Sequence, residues 1–194
     1  MKQTDRHQLI SDVAQFIRRY VVCSDDQLTV LALWVLSGYF RWYGVFSFAA
    51  CLNIYSAEPQ SGKTVLLKTL EHLAYNSWYT SGAGPRVLLT KRQCFGGTLL
   101  LDDRHVTFSS SERQAVVAYL NAGATEHGWY GYLHPEGDDG VTDHRCFVPK
   151  AFAGQGPMPP SLASRCIPIN LERSRPSDPS SVSAGNLPPI SLRR

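Results

Sequence analysis

One short segment limits the architecture of this chain more than any other: Ser56-Ala57-Glu58-Pro59-Gln60-Ser61-Gly62-Lys63-Thr64, set between two apolar stretches of different period. Before it, Cys51-Leu52-Asn53-Ile54-Tyr55 has the length and content of a buried strand. After it, Val65, Leu66, Leu67, Leu70, Leu73 and Ala74 recur at helical spacing and stop before Asn76. A loop that leaves a buried strand and enters a helix aims successive backbone N–H groups, backed by the helix dipole, at one spot, and that spot attracts phosphate. Gly62 lets the backbone approach, Lys63 is placed to reach β- and γ-phosphates, and Thr64 offers a hydroxyl to Mg²⁺. With Glu58, Pro59, Gln60, Ser61 and Val65 they form the candidate nucleotide-binding set. Ala57 stands at the first glycine of GxxxxGK[ST], a departure compatible with the loop if that residue keeps a negative φ. The alternative is an accidental loop, and the strand before and helix after weigh against it.

A second acidic strand end supplies the other half. Thr98-Leu99-Leu100-Leu101 is an apolar run closed by Asp102-Asp103. In phosphate-loop ATPases such a strand ends in an Asp that holds Mg²⁺, and the next acid polarises the attacking water. Asp102 is the candidate for the first role and Asp103 for the second; the plain alternative is two acids solvating a strand end. Asp103 is one methylene shorter than a glutamate, which withdraws the carboxylate by roughly 1.5 Å, and a displacement on that scale costs about a hundredfold in rate.

The rest of the chain predicts α/β organisation. Residues 5–22 read as an amphipathic helix, and Ser24 as the cap of a second helix running to Phe40. Trp78 to Thr80 suits a short strand, 86–93 a helix, and Ser109-Ser110-Ser111-Glu112 caps a helix ending at Asn121-Ala122-Gly123. Residues 125–144 suggest a hairpin with its tip near 137–140, Cys146 to Val148 the next core strand, Ser161 to Ser164 one helical turn, and Cys166 to Leu171 the last strand. The expected divisions are an N-terminal helical extension (1–44), a core (45–172) and a Ser/Pro-rich basic tail (173–194) expected to be disordered.

Composition excludes more than it identifies. The 194 residues are 43% apolar and 18% charged, a globular balance, and a net charge of +3 is too mild to prove a nucleic-acid partner. Five cysteines, odd in number and never arranged as CxxC, argue against a disulfide framework or zinc ribbon. With no secretion signal in view, they point to a reducing cytoplasm. The apolar stretch Leu28–Leu52 is divided by Gly38, Arg41 and Gly44 into pieces shorter than a membrane span, so a buried helix, a turn and a strand are expected, not a membrane segment.

Together, SAEPQSGKTVLLKTL (56–70), Leu99–Asp103, Leu120-Asn121-Ala122-Gly123, VPKAFAG (148–154) and LASRCIPI (162–169) resemble the AAA-like ATPase domain of phage- and plasmid-type replication primase-helicases. The resemblance implies a three-layer AAA+-type P-loop fold with a central, mostly parallel sheet. It implies ATP and Mg²⁺ as cofactors and a homo-oligomeric ring with ATP between subunits. DNA and a primase or other replication protein are the partners it suggests. It places Lys150, at the end of the fourth core strand, as the γ-phosphate sensor, and Arg165, just before the last strand, as an arginine finger for the next subunit. Taken alone, either residue reads as an ordinary surface cation. The family's helical lid has no clear counterpart after Leu171, so it is missing, supplied by another chain or replaced by the N-terminal helices.

Lesser features carry two readings each. His134, Asp138, Asp139, Asp143 and His144 suggest a polar hairpin tip before a metal site, since their spacing matches no closed zinc site. Trp129, Tyr130, Tyr132 and His134 either stack on bases in a ring's pore or cover the sheet. Arg173, Arg175, Arg193 and Arg194 promise only weak, salt-sensitive phosphate contacts. Cys94 and Cys166 read as small apolar residues. Besides a DNA motor, a nucleotide-binding regulatory or degenerate subunit with little turnover and a small-molecule kinase fit the same loop.

Overall fold

A computed structural model describes residues 5–40, 44–81, 83, 87–88, 97–102, 110–133, 140–154 and 158–173. Two helices come first, α1 (Arg6–Arg18) and α2 (Asp25–Phe40). The Asp5 carboxylate accepts from the His7 N–H and caps α1. At α2 the Ser24 hydroxyl accepts from the Gln27 N–H (3.2 Å) while the Gln27 side-chain oxygen accepts from the Ser24 N–H (3.0 Å), a reciprocal capping box. Helix α1 ends at Arg18, four residues before the sequence pattern does, because the chain turns through 19–21 to bury Val21 beside Ile17.

The core sheet has five parallel strands in the order β2-β3-β6-β1-β7. They are β1 (Cys51–Tyr55), β2 (Trp78–Ser81), β3 (Leu99–Asp102), β6 (Lys150–Ala153) and β7 (Cys166–Asn170). Helix α3 (Lys63–Leu73) follows β1, while α4 (Ser110–Ala122) and the single turn α5 (Pro160–Ala163) come later. Strands β4 (Trp129–Leu133) and β5 (Val141–Arg145) form a separate antiparallel hairpin.

Alternation along the parallel strands divides the apolar residues between two faces. Leu52, Ile54, Leu100, Ala151, Ala153 and Ile169 pack with Leu66, Leu67 and Leu70 of α3 and with Ile17, Leu28, Leu31 and Trp34 of α1 and α2. Cys51, Leu99, Leu101 and Phe152 pack on the other side with Val116, Tyr119 and Leu120 of α4 and Leu162 of α5. The result is helices on both sides of a parallel sheet. The N-terminal helices share the core of the sheet: the Trp34 indole N–H donates to the Ala50 carbonyl (2.8 Å) and the Gln27 amide to the Asn170 carbonyl (2.8 Å). Among the described residues no helix is long and apolar enough to cross a membrane.

One strand differs from the sequence expectation. Cys146 to Val148 are fully buried yet lie outside the sheet, and the strand is Lys150–Ala153. These residues tie the hairpin to the core instead, with the Cys146 N–H donating to Gly128, while Pro149, which has no N–H, accepts from Leu99 (3.0 Å). Of the expected helix at 86–93 only residues 87–88 are described, and these are helical. The hairpin tip at 137–139 and the tail from 174 lie outside the described residues.

Candidate functional site

Chain direction fixes where a ligand can sit. In an open parallel sheet the connections leave from the carboxyl ends of the strands, and a crevice opens where neighbouring strands send their chains to opposite faces. Adjacent strands β1 and β6 do this: β1 leads into α3 on one face, β6 into α5 on the other. The loop from Ser56 to Gly62 lies at that edge.

Its shape comes from a few residues. Ser56 is buried, and its hydroxyl accepts from the Glu58 N–H (3.1 Å), pinning the first turn. Positive φ follows at Gln60 (59°) and Gly62 (87°), which curl the chain into the start of α3. Among the described non-glycine residues only Gln60 and Asn76 have positive φ, so Ala57 meets the condition for replacing a glycine. Gly62 is the N-cap of α3 and offers no side-chain acceptor, so the first N–H groups of the helix face the loop mouth without a cap. Lys63 folds back over that mouth, its ammonium donating to the Glu58 carbonyl (3.2 Å) and the Ser61 hydroxyl (3.0 Å). Glu58, Pro59, Gln60 and Thr64 are exposed, Val65 is half-buried and Ser61 is buried under Lys63. Uncapped N–H groups, a helix dipole and one ammonium converging on one place fit an anion.

Asp102 ends β3, two strands from β1 and hence about 10 Å across the sheet. By register it stands level with Ala153 and Ile54, just below the loop. It is buried, and its Oδ2 accepts from the Tyr79 hydroxyl (2.7 Å). Tyr79 packs into the cluster on the α3 face, so it turns the carboxylate toward the side of the sheet where α3 begins. Tyr79 was not legible in the sequence, because nothing local in Trp78-Tyr79-Thr80 announces a partner more than twenty residues away. Among the described residues no cluster of three or more His, Cys, Asp or Glu side chains forms a closed metal site. Magnesium needs no such cluster, since that ion takes one or two protein oxygens and completes its shell with phosphates and water. Asp103 lies outside the described residues.

Two expected residues lie at the opposite edge. Lys150 opens β6 where the sensor reading has it close its strand, and it pairs with Cys51 at the amino end of β1. It is fully buried, with Nζ donating to the carbonyls of Gly123 (2.6 Å) and Val148 (2.9 Å). The shift of the strand from 146–148 to 150–153 carries Lys150 from one end of the sheet to the other, and its ammonium clamps the end of α4 to the sheet. Arg165 precedes β7, whose last residue, Asn170, pairs with Tyr55 at the loop end. At 3.3 Å per residue, Arg165 is about 16 Å from that end. It is exposed, donating to the Ser161 carbonyl (2.6 Å) and the Asn121 side-chain oxygen (3.4 Å).

In the hairpin the aromatics divide. Tyr130 packs edge-on against Tyr119 with ring centroids 5.9 Å apart, whereas Trp129 is 58% exposed. Asp143 is exposed and His144 buried on successive positions of β5, while His134, Asp138 and Asp139 lie outside the described residues. Compared with models of known protein families and with curated proteins, the chain matches none.

Proposed function

We propose that this chain binds ATP with magnesium at the carboxyl edge of its sheet and works as an AAA+-type ATPase, an oligomeric DNA-helicase-like motor of mobile-element replication. The observation that carries the reading is the loop itself: two left-handed residues deliver the chain into an uncapped helix start with Lys63 laid across it.

The roles follow from position. The N–H groups at the start of α3 and the Lys63 ammonium hold the β- and γ-phosphates, exchanging the Glu58 and Ser61 contacts for charge-assisted bonds to phosphate oxygens. Thr64 and Asp102 hold magnesium, which supplies positive charge against the phosphates as the γ-phosphoryl group leaves. Tyr79 fixes the Asp102 carboxylate. Asp103 orients the attacking water. Arg165 lies too far from its own loop to touch it, so its guanidinium serves the loop of a neighbouring copy. A ring gives every loop such a neighbour, and DNA engaged by the ring is the substrate of the motor.

A second reading is favoured by Lys150. Its burial at the far edge removes one of the groups that the motor reading places at the γ-phosphate. A nucleotide-binding regulatory subunit with slow turnover fits that arrangement. Phosphate release from Mg-ATP, with and without single-stranded DNA, separates the two. The motor requires DNA-stimulated turnover that Lys63→Ala and Arg165→Ala each abolish, with activity restored when the two variants are mixed. Binding without turnover in the unmutated chain supports the regulatory subunit and contradicts the motor.

A further inference from the structure

At the amino edge of the sheet three side chains form a row across adjacent strands: Lys150 on β6, Cys51 on β1 and Cys166 on β7. Residues paired in register on parallel strands point to the same face, and this row faces α4 and α5. Neighbouring strands are about 4.8 Å apart, inside the roughly 4.4–6.8 Å that a disulfide requires between its Cα atoms. Both residues are thiols. Cys51 is 1% exposed, whereas Cys166 is partly exposed, and its Sγ–H donates to the Met158 sulfur (3.7 Å). Arg165 is the residue immediately before Cys166, its guanidinium held beside the strand by Ser161 and Asn121.

We propose that Cys51 and Cys166 form a reactive dithiol, a site of thiol–disulfide exchange that a low-molecular-weight disulfide converts to an intramolecular bridge between β1 and β7. Access decides the order of attack. The Cys166 thiolate attacks one sulfur of the external disulfide; that S–S bond breaks and one thiolate leaves, taking up a proton. The Cys51 thiolate, held against Cys166, attacks the Cys166 sulfur and expels the second thiolate, which is protonated in turn. Two protein thiols are oxidised and one external disulfide is reduced to two thiols. Its neighbour Cys166 draws the Cys51 thiol below its ordinary range against the opposing effect of burial, with the Lys150 and Arg165 charges assisting. The bridge joins the strands at the end away from the phosphate loop.

The test is oxidation of the full chain by oxidised glutathione near neutral pH, with bridges mapped by non-reducing peptide mass spectrometry. The unmutated protein is expected to yield Cys51–Cys166 as its dominant bridge when folded, and mixed pairings of its five cysteines in urea. Cys51→Ala is expected to stop with glutathione on Cys166, and Cys166→Ala to acquire neither a bridge nor glutathione at Cys51. The proposal is overturned by glutathione that persists on Cys166 of the unmutated protein, by bridging of either residue to Cys23, Cys94 or Cys146, by identical pairing in the folded and urea-treated protein, or by no reaction. If an alanine variant does not fold, the folded-against-urea comparison of the unmutated chain decides alone.

Discussion

Gly62 occupies a backbone conformation that side chains resist, at φ 87°, yet a Cβ there meets nothing nearer than a Val21 methyl at 3.9 Å. Substitution therefore costs strain and not collision, and Gly62→Ala is expected to lose about 1–2 kcal/mol of stability. Urea unfolding checks the loss, and a parallel fall in nucleotide affinity shows that the bend positions the helix start. Lys150 obeys a different logic, because removing its ammonium strips a donor from the buried carbonyls of Gly123 and Val148. Lys150→Met is expected to cost about 2 kcal/mol, on the order of 4–8 °C in Tm for a chain of this length, with nucleotide affinity of the folded protein unchanged. An affinity or turnover defect at unchanged Tm would return Lys150 to the phosphate site. At Cys23 burial raises the thiol from 9.0 to about 11, opposed by the Arg18 charge. The unfolded chain thus gives up this proton first as pH rises. The corresponding stability is complete below pH 9 and lost as pH climbs through about 11, and at about pH 8 alkylation followed by peptide mapping is expected to spare Cys23 while modifying Cys166.

At the scale of elements, the end of α4 illustrates how closely backbones meet. A Cβ on Gly123 would lie 2.1 Å from the Cys146 carbonyl oxygen and 2.6 Å from the Lys150 ammonium, so Gly123→Ala is expected to prevent stable folding, visible as loss of a cooperative thermal transition. The sequence pattern announces Gly123 as a helix stop, which it is, but not as the seat of this contact. Strands β1 and β3 and helix α3 were legible because each is written locally: an apolar run, a punctuating loop, then a change of period. Strand β6 was not, since Cys146-Phe147-Val148 is as apolar as Lys150-Ala151-Phe152-Ala153 and is buried just as deeply, as a connection under the hairpin. Only ladder pairing with β1 and β3 distinguishes the two, and pairing is a long-range property. The same holds for Tyr79, whose hydroxyl reaches diagonally across β2 and β3 to Asp102, and for Cys51, paired in register with Cys166, across separations that no local motif encodes.

For the whole molecule, the parallel sheet gathers the loop and the Asp102 carboxylate toward one edge and leaves Lys150, the Cys51–Cys166 row and Arg165 along the other. Helices α1 and α2 complete the core on the α3 face, and Val21, in the turn between them, holds a methyl 3.9 Å from where a Cβ on Gly62 would lie. The two-edged arrangement makes the oligomer a chemical requirement of the motor reading, because Arg165 has no path to the phosphates of its own chain. Everything in that reading depends on phosphate binding at Ser56–Thr64. The most direct test is titration calorimetry of Mg-ATP into the unmutated chain and into Lys63→Ala. Saturable binding weakened by about 10- to 100-fold in the variant, the worth of charge-assisted bonds from one ammonium, is the predicted result, whereas no binding to the unmutated chain, or equal affinity in both, would contradict the assignment of the loop.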